Sequence, residues 1–470
     1  MGKRRKKLEQ EASSKRIFEE LPLATALRTM VTPTIISQII VLIYNMADTF
    51  YVGRTNNPYM VAATSLVLPV FNITLCLAGI SGVGGGALVS RLLGSGQEQE
   101  ARRVGTFSLY LALVIAAAFS ALTALFLQPL LLALGAGENT LTFARQYTLC
   151  VIILGGIPTV MSNVISNLVR SVGYSRQAGF GITMGGILNI ALDPLFMFVL
   201  LPRGYEVLGA GIATCLSNCI ACVYFLVVLA RMGKGAVITF RPKVGRASRK
   251  SVAEVFAVGI PSAVSTFLFD LDYVIIDKLM VSYHDLAMAA IGIVLKVERL
   301  PLNVGVGICQ GMMPLVAYNF AARNHKRMND TIKLSLGLGL VIAAVSIGLY
   351  ELFAQQLIGV FIDDAQTVAM ATSFLRVRVL ATPLMFMSFF TVHLFQAFGQ
   401  GDKALFLGAM RWLVFNIPML FLLNAIFGMY GIVWGQVIAD GINVVLSAFV
   451  YWRYRPKALP AQRTAEGGSV

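Results

Sequence analysis

Two acidic side chains stand within long apolar stretches of the sequence, and their setting is that of a proton or cation site. Asp48 lies in the stretch from Tyr44 to Gly53. Asp193 follows Asn189 by four residues, which places Asn189 and Asp193 on one helix face. An ionised carboxylate at mid-bilayer costs roughly 2.5 to 3.5 kcal/mol on insertion scales, so such an acid usually faces a polar cavity. The alternative for Asp48 is a helix end at the water interface.

Further polar side chains could complete a site around Asp48. Thr214 falls in the predicted sixth helix, and Asn163 and Asn167 fall in the fourth. Together with Asp48 they would form an oxygen-rich pocket, which hard cations prefer, and Pro194 would free backbone carbonyls nearby. The alternative is that each polar group pairs with backbone and holds helices together.

A second group of charged residues occupies the predicted seventh and eighth helices. Acids and bases on neighbouring helices are expected either to pair or to leave one acid free for organic cations or protons. We assign four of them to the substrate cavity or to a second acidic site: Asp270, Asp272, Glu298 and Arg299. Asp277 and Lys296 belong to the same group, in which Lys296 and Arg299 are the bases that would neutralise Asp270 or Asp272. Pro33 and Pro261 remove helical hydrogen bonds and are predicted hinges.

The composition places the chain in a membrane. Of its 470 residues, 57% are hydrophobic and 13% are charged, and the mean hydropathy is +0.75. Soluble domains have about 45 to 50% apolar and about 25% charged residues. Apolar runs of about 20 residues recur, which is the length a helix needs to cross a bilayer, whereas barrel strands would be shorter and alternating. No nucleotide-binding loop occurs, so ATP is not expected to be the direct energy source.

Run length, flanking charge and Gly/Pro breaks predict twelve helices. They cover approximately 28–53, 58–92, 103–129, 139–173, 177–202, 207–231, 252–283, 286–322, 330–356, 366–398, 404–427 and 430–454. The six cysteines lie in apolar runs and form no secreted-type framework. With only three histidines, the clustered catalytic residues of a membrane-embedded enzyme are not expected.

The two halves of the sequence repeat. Val-Thr-Pro-Thr around Pro33 corresponds to Gly-Ile-Pro-Ser around Pro261, and further pairs follow at a near-constant offset. Because six is even, both halves enter the membrane from the same side. The predicted fold is an all-α integral membrane protein with two six-helix bundles, related by a pseudo-twofold along the membrane normal, and a cleft between them. The predicted divisions are a basic tail (1–21), a first bundle (22–231), a linker (232–251), a second bundle (252–455) and a tail (456–470).

The net charge of +15 is distributed unevenly. Basic residues cluster in the two tails and in alternate loops, whereas the loops between them carry only Arg54 and Arg203. The positive-inside rule then predicts a multi-pass inner-membrane protein with both termini in the cytoplasm. Attraction to anionic lipid headgroups is enough to explain the basic loops, so nucleic acid is not an expected partner. The first 20 residues lack the apolar core of a signal peptide, and we expect a solvated tail.

Three stretches carry a family resemblance: N-x-x-D-T-x-x-V-G from Asn45 to Gly53, N-x-x-x-D-P at Asn189 to Pro194, and R-x-x-G-x-x-x-x-A from Arg170 to Ala178. With the repeat, the chain from 22 to 455 resembles the multidrug and toxic compound extrusion (MATE) family of the multidrug/oligosaccharidyl-lipid/polysaccharide exporter superfamily. The resemblance implies a proton or sodium site formed by Asp48, Asn189, Asp193 and Thr214. Some members use an acid in helix seven instead, for which Asp270 is nearest. The crowding of charges in helices seven and eight departs from the simplest family pattern.

The resemblance implies a function in transport. We expect an antiporter that exports amphipathic, often cationic, drugs or toxic compounds, antibiotics included, in exchange for protons or sodium ions, as its two bundles rock about the cleft. No cofactor other than the coupling ion is expected, and a monomer should suffice, with lipids and small molecules as partners. One alternative is a lipid-linked oligosaccharide flippase, which needs a strongly cationic cavity. A membrane-embedded enzyme, the other alternative, needs clustered catalytic residues at a membrane face.

Overall fold

The computed structural model describes residues 15–233, 236–241, 244 and 246–455, and these residues form helices and connecting loops without a strand. Twelve helical spans account for most of them. Their bounds are α1 (Leu23–Gly53), α2 (Pro58–Gly94), α3 (Glu98–Leu125), α4 (Glu138–Thr148, Leu149–Leu154 and Gly156–Ser171), α5 (Ser175–Pro194 and Leu195–Leu200), α6 (Glu206–Met232), α7 (Arg249–Val281), α8 (Asp285–Ala321), α9 (His325–Gly359), α10 (Ala365–Val379 and Thr382–Ala397), α11 (Gly401–Ala409, Met410–Asn416 and Ile417–Phe427) and α12 (Met429–Tyr454).

Ten helices in the described part of the chain are individually long and apolar enough to cross a membrane. Two further spans, α4 and α10, are each bent by 45° at a short break. Counting each bent pair as one span gives twelve, so the predicted fold class is confirmed. The breaks lie just before Pro158 and Pro383, at corresponding places in the two halves. Helices generally bend or break at such positions because proline disrupts the hydrogen bonds of the preceding turn.

Several helix ends differ from the predicted ones. The third helix begins at Glu98 rather than near 103, and its first turn contains Glu98 and Glu100. Acidic side chains at a helix N-terminus interact favourably with the helix dipole, so the charged stretch extends the helix instead of remaining a loop. Pro33 and Pro261 lie inside continuous helices. Their hinge role therefore stays a prediction.

The two halves pack through α1 against α8 and α2 against α7. Glycines permit the close approach: a Cβ at Gly84 would overlap the backbone of Val255, and a Cβ at Gly259 would overlap that of Ile80. Small residues serve this purpose in membrane helices, where van der Waals contact drives association. These contacts lie toward the side of the molecule where α1 begins and α12 ends, which we call the terminal side.

An ion pair closes the seam on the terminal side. Arg91 of α2 lies 3.3 Å from the carboxylate of Glu254 in α7, and its Nη1 donates to the carbonyl of Phe398, 3.4 Å away, after α10. A side chain at Gly399, which has a φ of +76°, would collide with the Arg91 guanidinium. The two halves are therefore in contact on the terminal side.

The segment between the halves is attached to the first half. Thr106 and Tyr110 of α3 donate to the carbonyls of Thr239 and Phe240, at 2.9 and 2.7 Å. The division of the chain at 232–251 stays a prediction, and the predicted C-terminal tail, 456–470, lies outside the described residues. Of the predicted N-terminal tail, Arg16–Glu20 forms a π-helical turn with Phe18 fully buried. The expectation that residues 1–20 are solvated throughout is therefore wrong at Phe18.

Candidate functional site

A cavity of about 470 Å³ lies between the halves. Its wall is formed by α1, α2, α4, α5 and α6 from the first half and by α7, α8 and α10 from the second. Asparagine, serine, glycine and threonine make up much of the wall beside leucine, valine and phenylalanine. The cavity therefore offers both hydrogen-bonding groups and apolar surface to a compound held between the halves.

Asn189, Asp193 and Thr214 form a hydrogen-bonded cluster in the first half. The amide Nδ2 of Asn189 donates to Asp193 Oδ1 at 3.3 Å and to Thr214 Oγ1 at 3.2 Å. All three side chains are buried, and Asp193 is fully so. The spacing of four residues brings the Asn/Asp pair together on α5, where Pro194 ends the α-helical part and a π-helical turn follows. Such π turns are frequent at functional sites.

Asp48 lies beside this cluster. One of its oxygens accepts a hydrogen bond from the hydroxyl of Tyr147 in α4, and Asp48 is close enough to Asp193 to interact with it electrostatically. Tyr44 on α1 interacts with both acids. Among the described residues, neither acid forms an ion pair with a basic side chain. Two acids therefore share a low-dielectric site in which the described residues supply no basic side chain.

Several oxygen atoms at this site lack hydrogen-bond partners in the described structure: Asp48 Oδ1, Asn189 Oδ1 and Asp193 Oδ2. Oxygen donors of this kind are the ligands of hard cations, and a proton would equally satisfy a carboxylate. The described residues contain no cluster of three or more His, Cys, Asp or Glu suited to a metal. The donors present at this site are oxygen atoms, which suit a sodium ion or a proton.

Asn163 and Asn167 line the cavity but are not hydrogen-bonded to the Asn189 cluster. Their Nδ2 atoms donate to the carbonyls of Thr159 and Asn163, four residues back on α4, each at 3.0 Å. Such back-bonding to the preceding helical turn is a common alternative for short polar side chains. Tyr147 was not identified from the sequence. The available signal was that this tyrosine lies on the same helix as Asn163 and Asn167.

In the second half, the predicted residues are divided between two places. Asp270 and Arg299 line the cavity, and the guanidinium of Arg299 stacks over Tyr273 at 4.6 Å. Arg299 interacts electrostatically with Asp270. Asp272, by contrast, is fully buried away from the cavity wall, and both of its carboxylate oxygens lack hydrogen-bond partners among the described residues.

Glu298 pairs with a residue that sequence reasoning missed. Arg378 of α10 donates to both Glu298 oxygens, at 2.7 and 2.8 Å, and to Gln436 at 2.6 Å. In the sequence, Glu298 belongs to the charged group of helices seven and eight, and its partner comes from outside that group. Lys296 is exposed, whereas Arg378 faces Glu298 across the helix bundle. Burial selects arginine here because its planar fork satisfies a carboxylate at two atoms.

The same network continues to α11 and α12. Gln436 donates to Asp440 at 3.4 Å, and Arg411 holds Asp440 through two hydrogen bonds of 2.6 and 3.2 Å. Arg411 and Asp440 could have been identified as candidates from the sequence, because they are charged residues within apolar runs. Their partners were not visible because they come from different helices.

Comparisons with known proteins agree with this architecture. A family model described as MatE matches residues 33–195 and 261–422, one segment in each half. The multidrug export protein MepA of Staphylococcus haemolyticus is 30% identical over 93% of this chain and 95% of its own length. MepA of Staphylococcus aureus strain MSSA476 is 28% identical, over 94% of this chain and 96% of that protein.

Two solved structures are similar in fold. The crystal structure of MATE in complex with MaL6 superposes with a TM-score of 0.88 at 22% identity, and 94% of this chain and 98% of that one are covered. The outward-facing conformation of a multidrug resistance MATE family transporter of the MOP superfamily gives 0.85 at 23% identity, with 91% and 95% covered. The likeness extends over both halves and therefore over the whole cavity.

Proposed function

The chain belongs to the MatE family, whose members are transporters rather than enzymes, and on that premise we propose that it is a multidrug efflux antiporter driven by protons or sodium ions. The observation that supports the coupling is the pair of acids in the first half. Asp48 and Asp193 interact with each other and have no basic partner among the described residues. Such a pair is unfavourable in low dielectric unless a cation binds.

The position of the site supports an exchange mechanism. Asn189 and Thr214 belong to the cluster that holds Asp193 and also form part of the cavity wall. An ion that binds the cluster would therefore change the surface that a substrate contacts. Two ligands whose sites share residues influence each other's affinity by the same factor, which is the coupling an antiporter needs.

The contacts between the halves suggest how access alternates. The halves meet on the terminal side through Arg91 and Glu254, and the cavity lies beyond this seam. With both termini in the cytoplasm of an inner-membrane protein, this arrangement is the outward-facing one. Rocking of the halves would open the seam and expose the cavity to the cytoplasm. One chain supplies every part of this cycle, so a monomer suffices.

Substrate-triggered ion release tests the proposal. Purified protein in weakly buffered detergent solution, loaded with an amphipathic organic cation such as ethidium, should release protons, or sodium in sodium-loaded protein, in proportion to the dye bound. Reconstituted vesicles should then concentrate the dye only when a proton or sodium gradient is imposed. Accumulation that is equal with and without any gradient would contradict the antiport mechanism.

A further inference from the structure

The side chain of Arg170, at the end of α4, forms part of the cavity wall while remaining 95% buried, with 5% of its surface exposed. Its Nη1 atom donates to Asn167 Oδ1 and to Gln310 Oε1, each at 3.2 Å. Its Nε atom is buried and has no hydrogen-bond partner in the described structure. The guanidinium thus lies between the first half and α8 of the second, held by two neutral amides.

Arg170 differs in this respect from the other buried arginines. Arg378 and Arg411 each bind a carboxylate through two nitrogen atoms, and Arg91 pairs with Glu254. For Arg170, no carboxylate among the described residues lies within ion-pair distance, and its two hydrogen-bond acceptors are neutral amides. A buried guanidinium is unfavourable without a counter-charge, and its planar fork is shaped for a carboxylate or phosphate.

The surroundings leave room for such a group. The cavity wall that includes Arg170 also includes small residues, among them Gly86, Ser90, Ser166 and Ser171. Among the described residues of the wall, the one acid is Asp270, which lies on α7 and interacts with Arg299. The cavity thus has an unpaired cationic group on α4 and an acid on the opposite half.

We propose that Arg170 is an anion-binding subsite that takes the carboxylate of zwitterionic amphipathic substrates, whose cationic group faces Asp270. This inference rests on the proposed export function and narrows its substrate class. It also places the substrate carboxylate at the residue that links α4 to Gln310. A compound bound in this way contacts both halves of the molecule.

The test compares two dyes that differ at one functional group: a rhodamine with a free carboxylate and the methyl ester of the same rhodamine. Binding to purified protein in detergent is followed by fluorescence polarisation. A charge-assisted hydrogen bond contributes enough that its loss changes affinity about tenfold or more. The preference of Arg170→Gln for the free acid over the ester should therefore fall about tenfold. Arg170→Lys, which keeps the charge, should retain part of it.

A second variant leaves Arg170 in place. In Gln310→Glu the new carboxylate occupies the position of an existing partner atom and neutralises the guanidinium, so the preference should again fall about tenfold. If Arg170→Gln does not fold, the dye preference of Gln310→Glu by itself tests the proposal. An unchanged dye preference in the folded variants would overturn the proposal and leave Arg170 as a strut between the halves.

The anion could instead come from a lipid headgroup. Titrations are therefore repeated in nanodiscs with and without phosphatidylglycerol. Weakening of free-acid binding by this lipid, with the ester unaffected, would assign the subsite to lipid and overturn the substrate proposal.

Gradient-driven export of the ester distinguishes failure of the anion subsite from failure of the proposed export function. Export of the ester with an unaltered dye preference in Arg170→Gln refutes the subsite alone, whereas no ion-driven export of either dye refutes the proposed function.

Discussion

The ring of Phe18 stacks on the ring of Tyr318, with centroids 4.8 Å apart and planes inclined by 22°. The hydroxyl of Tyr318, on α8, donates to Glu19 at 2.6 Å, and Arg327 donates to the carbonyl of Leu21 at 2.8 Å. These contacts attach the N-terminal turn to the second half.

The same turn also contacts the first half. A Cβ at Gly173, between α4 and α5, would lie 3.7 Å from the Phe18 ring. Phe18 therefore lies in the seam between the halves on the terminal side.

Replacing Phe18 by alanine should shift the protein toward the arrangement that is open on the terminal side. Loss of a buried phenylalanine typically costs about 3 to 5 kcal/mol, and part of the Phe18 ring packs against Gly173 of the first half, so the closed seam should lose stability. Spin labels at the exposed positions Gln99 and Lys326 would report a longer or broader distance distribution. Glu20→Ala, an exposed change in the same turn, is the matched control. An identical distribution in Phe18→Ala and the control would show that Phe18 does not hold the seam.

Removing residues 1–15 should leave export largely intact. The basic tail is expected to contribute orientation and attraction to the membrane surface rather than a cavity wall. Removing residues 1–21, which deletes Phe18 as well, should reduce export or shift the protein toward the arrangement that is open on the terminal side. The measurement is dye efflux normalised to correctly inserted protein. Equal loss in both truncations would assign the effect to the charged tail instead.

Asp48→Asn should insert normally yet abolish gradient-driven export, because asparagine resembles a permanently protonated acid and cannot complete the ion cycle. Dye affinity in detergent should change only modestly. The assay is dye accumulation in vesicles under an imposed proton or sodium gradient, with the exposed acid variant Asp363→Asn as control. A mutant that still concentrates dye against a gradient would make Asp48 a structural residue.

Thr214→Val should impair ion coupling by leaving the Asn189 amide without one of its acceptors. An unsatisfied buried donor costs about 1 to 3 kcal/mol, so both the melting temperature and the apparent ion affinity should fall. Thr214→Ser keeps the hydroxyl and should remain close to the unmodified protein. Valine and serine variants with the same ion dependence would exclude a role for this hydrogen bond.

Arg378→Leu should be strongly destabilising because it leaves Glu298 buried without its partner, at a cost of about 3 to 5 kcal/mol. The double variant Arg378→Leu with Glu298→Leu should recover much of that loss, since it removes both charges. Melting temperatures in detergent provide the comparison. If the double variant is no more stable than the single one, the pair contributes something beyond mutual neutralisation.

Composition and local spacing were sufficient to predict the membrane class, the helical repeat and the contact between Asn189 and Asp193. A bilayer requires every backbone polar group to be satisfied, which leaves helices as the structure for long apolar runs. A spacing of four residues places two side chains together within one helix, whatever the rest of the chain does.

Contacts between helices were decided only by the tertiary structure. Glu298 has Arg299 beside it in sequence, yet its partner is Arg378 on α10. Asp48 has Tyr147 as its donor, and Phe18 is buried in a segment that was expected to be solvated. Helices that are apolar all round give no periodic signal for the face that meets a neighbour, and partners between helices depend on the packing of all of them together.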